Sequence, residues 1–223
     1  MIDQMTNSAR TPLSRERVLL GAVALADTAG IDSLSMRKLA QDFDVVPMAL
    51  YKHVAGKEDL LDGMVDVILA EIEPPAPGAT WKTAARTRIL SARRALLRHP
   101  WASRIIESRP APTPAVLAYL NAMIGIFRDG GLSAGLTHHL MHTLGSRIYG
   151  FSQELFNATA TPDPQALAAA ATELAAHFPH VAELATTASH DGHSVVGQGC
   201  DDQYEFEFAL DLILDAFERR QQP

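Results

Sequence analysis

The sequence predicts an all-α protein: an N-terminal three-helix helix-turn-helix domain followed by a larger C-terminal helical bundle domain. Three observations carry this expectation. Apolar residues recur at three- and four-residue spacing along most of the chain, and no stretch alternates as a strand would. Residues that start helices (Ser14, Ser35, Pro47, Ser133) precede these runs, and the glycines Gly30, Gly130 and Gly131 follow them. Two of the helices, between Ser35 and His53, are too short to be stable alone and lie about three residues apart, which is the arithmetic of a helix-turn-helix.

The first helix is expected from Arg15 to Ala29, with Ser14 as N-cap, Leu13 and Val18 as a hydrophobic staple, and Val18, Ala22, Leu25, Ala26 and Ala29 on one face. Ser35 caps a two-turn helix through Phe43, with Leu34 and Leu39 as its staple. Pro47, at the position where a helix best tolerates proline, opens a third that runs to about His53. Leu39, Ala40, Phe43, Val45, Leu50 and Val54 form the apolar set, with Ala40 small where the two short helices cross. Gly56-Lys57-Glu58-Asp59 opens a fourth helix to Ile72, its acids suiting the helix dipole. Pro74-Pro75-Ala76-Pro77-Gly78 then makes a surface turn and a domain boundary.

Composition permits this fold without naming a function. The 223 residues are 47% hydrophobic with a net charge of −7, and mean hydropathy is +0.01. Such a chain buries a core and is neither disordered nor fibrous. A single cysteine, Cys200, excludes an internal disulfide framework and fits a reducing compartment. With no signal-like segment and no apolar run of membrane-spanning length, a cytoplasmic location is expected, away from the membrane. The charge is unevenly distributed. Residues 33–57 carry Arg37, Lys38, Lys52 and Lys57 against Asp42 and Asp44, residues 81–109 carry eight Lys/Arg against Glu107, and residues 110–223 carry four against 13 acids. The strongly basic stretch is expected to be a solvated helix face neutralised by the acidic C-terminal part.

The segments Ala-Leu-Ala-Asp-Thr-Ala-Gly-Ile-Asp-Ser-Leu-Ser-Met-Arg-Lys-Leu-Ala and Met-Ala-Leu-Tyr-Lys-His-Val-Ala-Gly-Lys-Glu-Asp-Leu-Leu, within Ser14 to Ile72, resemble the DNA-binding domain of the TetR family of bacterial regulators. Residues 13–73 are then the DNA-binding domain, and residues 79–221 the effector-binding and dimerisation domain. The chain departs from the family at Asp44, where glycine is usual and which must enter the left-handed region, and at the apolar Val46-Pro47-Met48, where polar base-reading side chains are common. Val46 or Met48 could instead press on a thymine methyl. Arg37 is the longest cationic arm toward a phosphate or a guanine, while Tyr51, Lys52, His53 and Lys57 resemble the family's backbone-contacting set. For Tyr51 and His53 a packing role stays open.

The resemblance implies a ligand-responsive repressor that binds a palindromic operator in double-stranded DNA as a homodimer and is released by a small-molecule effector. Beyond the boundary, helices are expected over Trp81–Arg98, Trp101–Ser108, from Pro114 to Asp129, from Ser133 past Leu155, from Pro164 to about His177, from Phe178 to Ala188, and over Asp202–Arg220. The helices from Leu136 and from Asp202 are the candidate dimer interface, with Gly145 and Gly150 allowing close approach. Trp101, Met123, Phe127, His139, His142 and Phe151 are candidate effector contacts. His138 and His142 have metal-ligand spacing, but with no cysteine or acid beside them neither a metal nor a cofactor is expected. No phosphate loop, nucleophile elbow or zinc-protease motif is present, so an enzyme is not expected. The residues alone leave one alternative, a metal- or ligand-sensing helical protein, or an enzyme, without sequence-specific DNA recognition.

Overall fold

The computed structural model describes residues 12–150, 172–173, 175–180, 182–183 and 202–221. Among these residues there is no strand, and the fold is all-α. The helices are α1 (Arg15–Ala29), α2 (Met36–Asp42), α3 (Pro47–Leu50), α4 (Lys57–Ala70), α5 (Trp81–Arg98), α6 (Ala102–Ser108), α7 (Pro114–Asp129), α8 (Ala134–Gly150) and α9 (Asp202–Gln221), with a 3₁₀ turn at Ile31–Ser33. Residues 172–173, 175–177, 179–180 and 182–183 are helical, within the expected Ala-rich segments. Phe151, Leu155, the start at Pro164 and Cys200 lie outside the described residues.

Local chemistry accounts for the helix ends. The hydroxyls of Ser14 and Ser35 accept the N–H groups of Arg17 and Lys38, each at 3.1 Å, supplying two of the donors that a helix start leaves unpaired. Gly30 stops α1 at φ 79°. The end of α2 is a Schellman turn: Val45 N–H bonds the Ala40 carbonyl at 2.9 Å and Asp44 N–H bonds that of Gln41 at 3.0 Å, with Asp44 at φ 54°. Asp44 therefore occupies the left-handed conformation expected of it. The end of α7 repeats the motif with Gly131 at φ 90°, Leu132 N–H bonding Phe127 and Gly131 N–H bonding Arg128. One difference from expectation lies in α3, which ends at Leu50 rather than His53. His53 N–H and Val54 N–H both turn back to the Leu50 carbonyl, at 2.8 and 3.1 Å, closing a tight turn that leads into α4.

Packing divides the chain into two compact units, Met1–Ile126 and Phe127–Pro223. In the first, α1 packs on α4 and α2, α2 packs on α3, and α5 and α6 pack on α4. Val18, Ala22, Ala26, Leu34, Leu39, Leu50, Leu60, Met64 and Ile68 are buried in one core that continues into Ala95, Trp101, Ala102 and Ile105. Two glycines let these helices come close. A Cβ on Gly21 would lie 2.4 Å from the Phe43 ring, and one on Gly63 would lie 2.5 Å from Leu19 Cδ2. In the second unit α8 packs on α9, with Phe127, Leu132, Leu140, Leu144, Phe206, Leu210 and Leu214 buried. The Gln221 amide donates to the Gly130 carbonyl.

Candidate nucleic-acid interface

The helix-turn-helix sets a group of side chains on the surface that its own folding does not require. The core of this region takes Leu39, Ala40, Leu50 and Val54, so the intervening positions face out. Val46 and Met48, at the start of α3, are 68% and 70% exposed. Pro47 between them is also exposed, as are Arg37 on α2, Lys52 in the turn after α3, and Lys57 at the start of α4. Tyr51 is 45% exposed. His53 is half-buried, and its backbone carbonyl accepts from Arg15 at 3.0 Å.

Three of these groups are cations that make no ion pair with any described residue: Arg37, Lys52 and Lys57. Several other cations are paired with carboxylates. Lys38 reaches Asp42 at 2.9 Å, Arg94 reaches Glu73 at 3.4 Å, and Arg98, Arg104 and Arg109 meet Glu71, Asp32 and Glu58. Arg109 also lies 2.9 Å from Asp62, with its side chain 9% exposed. Within the basic stretch 81–109, Arg94, Arg98, Arg104 and Arg109 are thus neutralised by acids that precede them in the chain. The reason is geometric: α5 and α6 lie against α4, whose polar side carries Glu58 and Asp62 and whose end carries Glu71 and Glu73.

A second device holds α3, one that periodicity along the chain does not reveal. Arg15, at the start of α1, forms a two-pronged pair with Asp59 at 2.7 and 2.9 Å while donating to the His53 carbonyl. Asp59 also accepts the Ala55 N–H at 2.7 Å. The Arg15 guanidinium and then the Ala55 amide hold the Asp59 carboxyl below its usual pKa, outweighing its partial burial. One carboxylate thus joins α1, the turn after α3 and the first turn of α4. At the other end of α4, His99 lies 2.8 Å from Asp27 and 3.1 Å from Glu71, and the Trp101 indole donates to the same Asp27 oxygen at 2.7 Å. Burial opposes ionisation of Glu71, but hydrogen bonds from Arg98 and His99 prevail and its pKa is lowered.

The candidate effector contacts are distributed between the units. Trp101 and Met123 are buried in the first, the indole of Trp101 being committed to Asp27, while Phe127 is buried in the second. His139 and His142 lie on the exposed side of α8, and Phe151 is outside the described residues. The His138 and His142 rings stand edge to face with centroids 4.6 Å apart. Among the described residues no group of three or more His, Cys, Asp or Glu is placed to hold a metal ion. No described helix is long and apolar enough to cross a membrane.

Residues 74–220 match the family model of the tetracyclin repressor-like C-terminal domain. A transcriptional regulator of the helix-turn-helix type from Saccharopolyspora erythraea is 36% identical over 107 residues, covering 48% of this chain and 45% of that protein. The class D tetracycline repressor of Escherichia coli is 39% identical over 102 residues, 44% of this chain and 47% of the repressor. The match thus spans about half the length of these curated relatives. Among solved structures, ActR of Streptomyces coelicolor in complex with actinorhodin superimposes with a TM-score of 0.69 at 26% identity, over 96% of this chain and 100% of ActR.

Proposed function

Because the chain belongs to the tetracycline-repressor-like (TetR) family of transcriptional regulators, whose members are not enzymes, we propose that it is a repressor that binds a palindromic operator as a homodimer and is released by a small-molecule effector. The observation that carries the DNA-binding part is the set of unpaired surface cations, Arg37, Lys52 and Lys57, around an exposed α3. In a net-acidic chain where Arg15, Lys38, Arg94, Arg98, Arg104 and Arg109 meet carboxylates, three cations that pair with no described residue and share one motif fit an anionic partner. Lys52, Lys57, Tyr51 and His53 hold phosphates and fix the docking, and Arg37 reaches a phosphate or a guanine. Val46, Pro47 and Met48 face the base edges, while the Arg15–Asp59 pair sets the angle at which α3 enters the groove.

A single helix-turn-helix covers one half-site, so two are needed for specificity. The α9 helix supports self-association: while Phe206, Leu210 and Leu214 are buried, Tyr204, Phe208 and Leu212 form a second ridge at four-residue spacing that is 52–63% exposed in the single chain. Gly145 on α8 has open space where a side chain would stand. Two recognition helices about 34–36 Å apart then meet successive major grooves on one face of straight DNA. The effector is taken up by the C-terminal part, as a small molecule, actinorhodin, is bound in the ActR complex, with Phe127, His139 and His142 as contacts to test. It releases DNA by favouring a state in which α4 has shifted and the spacing of the recognition helices has changed.

The direct test is selection of bound sequences from random duplex DNA with the full chain, followed by footprinting. Changing Tyr51 and Lys52 together to Ala is expected to weaken the selected site by at least about a hundredfold at moderate salt, each lost charge-assisted contact costing about 1.5 kcal/mol in each half-site. Unchanged affinity overturns the assignment.

A further inference from the structure

The part of α3 that faces outward has almost no capacity for hydrogen bonding through its side chains. Residues 45–50 read Val-Val-Pro-Met-Ala-Leu, whose only side-chain heteroatom is the Met48 sulfur, a weak acceptor. Leu50 is buried and Ala49 half-buried, which leaves Val46, Pro47 and Met48 outward. Val46 and Met48 are the two most exposed large hydrophobic side chains among the described residues. Apolar surface held in water gains free energy when covered. The neighbouring cations, Arg37 on the adjoining α2 and Lys52 and Lys57 downstream, select a polyanion over an apolar protein face as the cover.

On the major-groove edges of DNA only one base group is apolar, the C5-methyl of thymine. We propose that Val46 and Met48 read thymine in each half-site by packing against this methyl, so that base preference at those positions rests on van der Waals contact and methyl burial rather than on hydrogen bonds. The inference rests on the DNA-reading function above and adds the chemical group that is recognised. With four residues, α3 is about 6 Å long, so the ridge covers only a few base pairs. Cytosine lacks the methyl and the purines offer only polar atoms at their edges, so these pairs leave the ridge against polar groups.

Deoxyuridine in place of thymidine removes the methyl while leaving the base pair and its groove hydrogen-bonding atoms intact. In a site selected by the full chain, each thymine facing the ridge is expected to lose about fourfold in affinity when replaced, and a symmetric pair about fifteenfold, from the burial of one methyl per contact. The variant carrying Val46→Ala and Met48→Ala is expected to bind thymine and deoxyuridine sites equally. Both side chains are exposed, so circular dichroism should show an unchanged fold. A selected site that binds within twofold after every thymine is replaced overturns the inference and leaves DNA reading intact, as does a double variant that still discriminates. Failure to select any sequence overturns the DNA-reading proposal and this inference with it.

Discussion

Two stretches of the chain are rich in positive charge, and the one with less of it is the candidate interface. Residues 81–109 hold eight Lys/Arg against one acid, yet Arg94, Arg98, Arg104 and Arg109 meet carboxylates, Arg88 donates to the Glu73 carbonyl and lies over the Tyr119 ring, and Lys82, Arg86 and Arg93 are also engaged. Residues 33–57 are positive by only two, but three of their four cations pair with no described residue. What marks the candidate interface is therefore three cations on one motif that pair with no described residue, not charge count. In the first stretch charges join neighbouring elements; in the second they remain on the surface.

The comparison breaks most readily in DNA-binding measurements. Replacing Arg37, Lys52 and Lys57 together by Gln should remove about six phosphate contacts from a dimer and flatten the dependence of log affinity on log salt by about five, with the melting temperature nearly unchanged. A smaller and opposite result is expected for Arg109→Leu, which leaves Glu58 and Asp62 without their shared partner. Chemical denaturation should show about 1–3 kcal/mol lost, the upper end of buried-pair values being tempered by the exposure of both carboxylates, while the salt slope of the folded protein is retained. If Arg109→Leu flattened the slope instead, the division between structural and available cations would fail. The smallest effect concerns acid. Because the Asp59 carboxyl has a lowered pKa in the folded chain, its contribution is complete above its unfolded pKa of about 3.9 and is lost as pH falls through the lower folded value. Asp59→Asn should be less stable than the parent at pH 7, with the gap closing below about pH 4 in denaturation midpoints.

Much of the fold was legible because helix limits are written locally. Ser14, Ser35, Pro47, Pro114 and Ser133 mark starts through groups within three residues, and the chain bonds there as their chemistry requires. Asp44 was legible for the same reason: a helix that must turn at that point needs one left-handed residue, and aspartate is among the few that tolerate it. Contacts between distant residues were not. Arg15 and Asp59 stand 44 positions apart, and nothing in the periodicity of either helix selects the other. The need for glycine at 21 and 63 likewise follows only from the closeness of Phe43 and Leu19. The exposed cations were visible as residues but not as unpaired ones, since pairing depends on which helices meet. The length of α3 was overestimated because Tyr51, Lys52 and His53 are compatible with a further turn, and only the closing bonds to Leu50 end it.

The two polar anchorages of α4 have a mechanical consequence. At 14 residues the helix is about 21 Å long, with Asp59 tied to Arg15 near one end and Glu71 to Arg98 and His99 at the other. Such a rod behaves as a lever whose pivot is whichever end holds. With the Glu71 end fixed, a tilt of about 5° carries the far end through about 2 Å, and the Arg15 clamp, which also grips the His53 carbonyl, would drag the exit of α3 with it. With the Asp59 end fixed, the same tilt leaves α3 in place and is spent on α5 and α6. The relative strength of the two anchorages thus sets the gain of the lever.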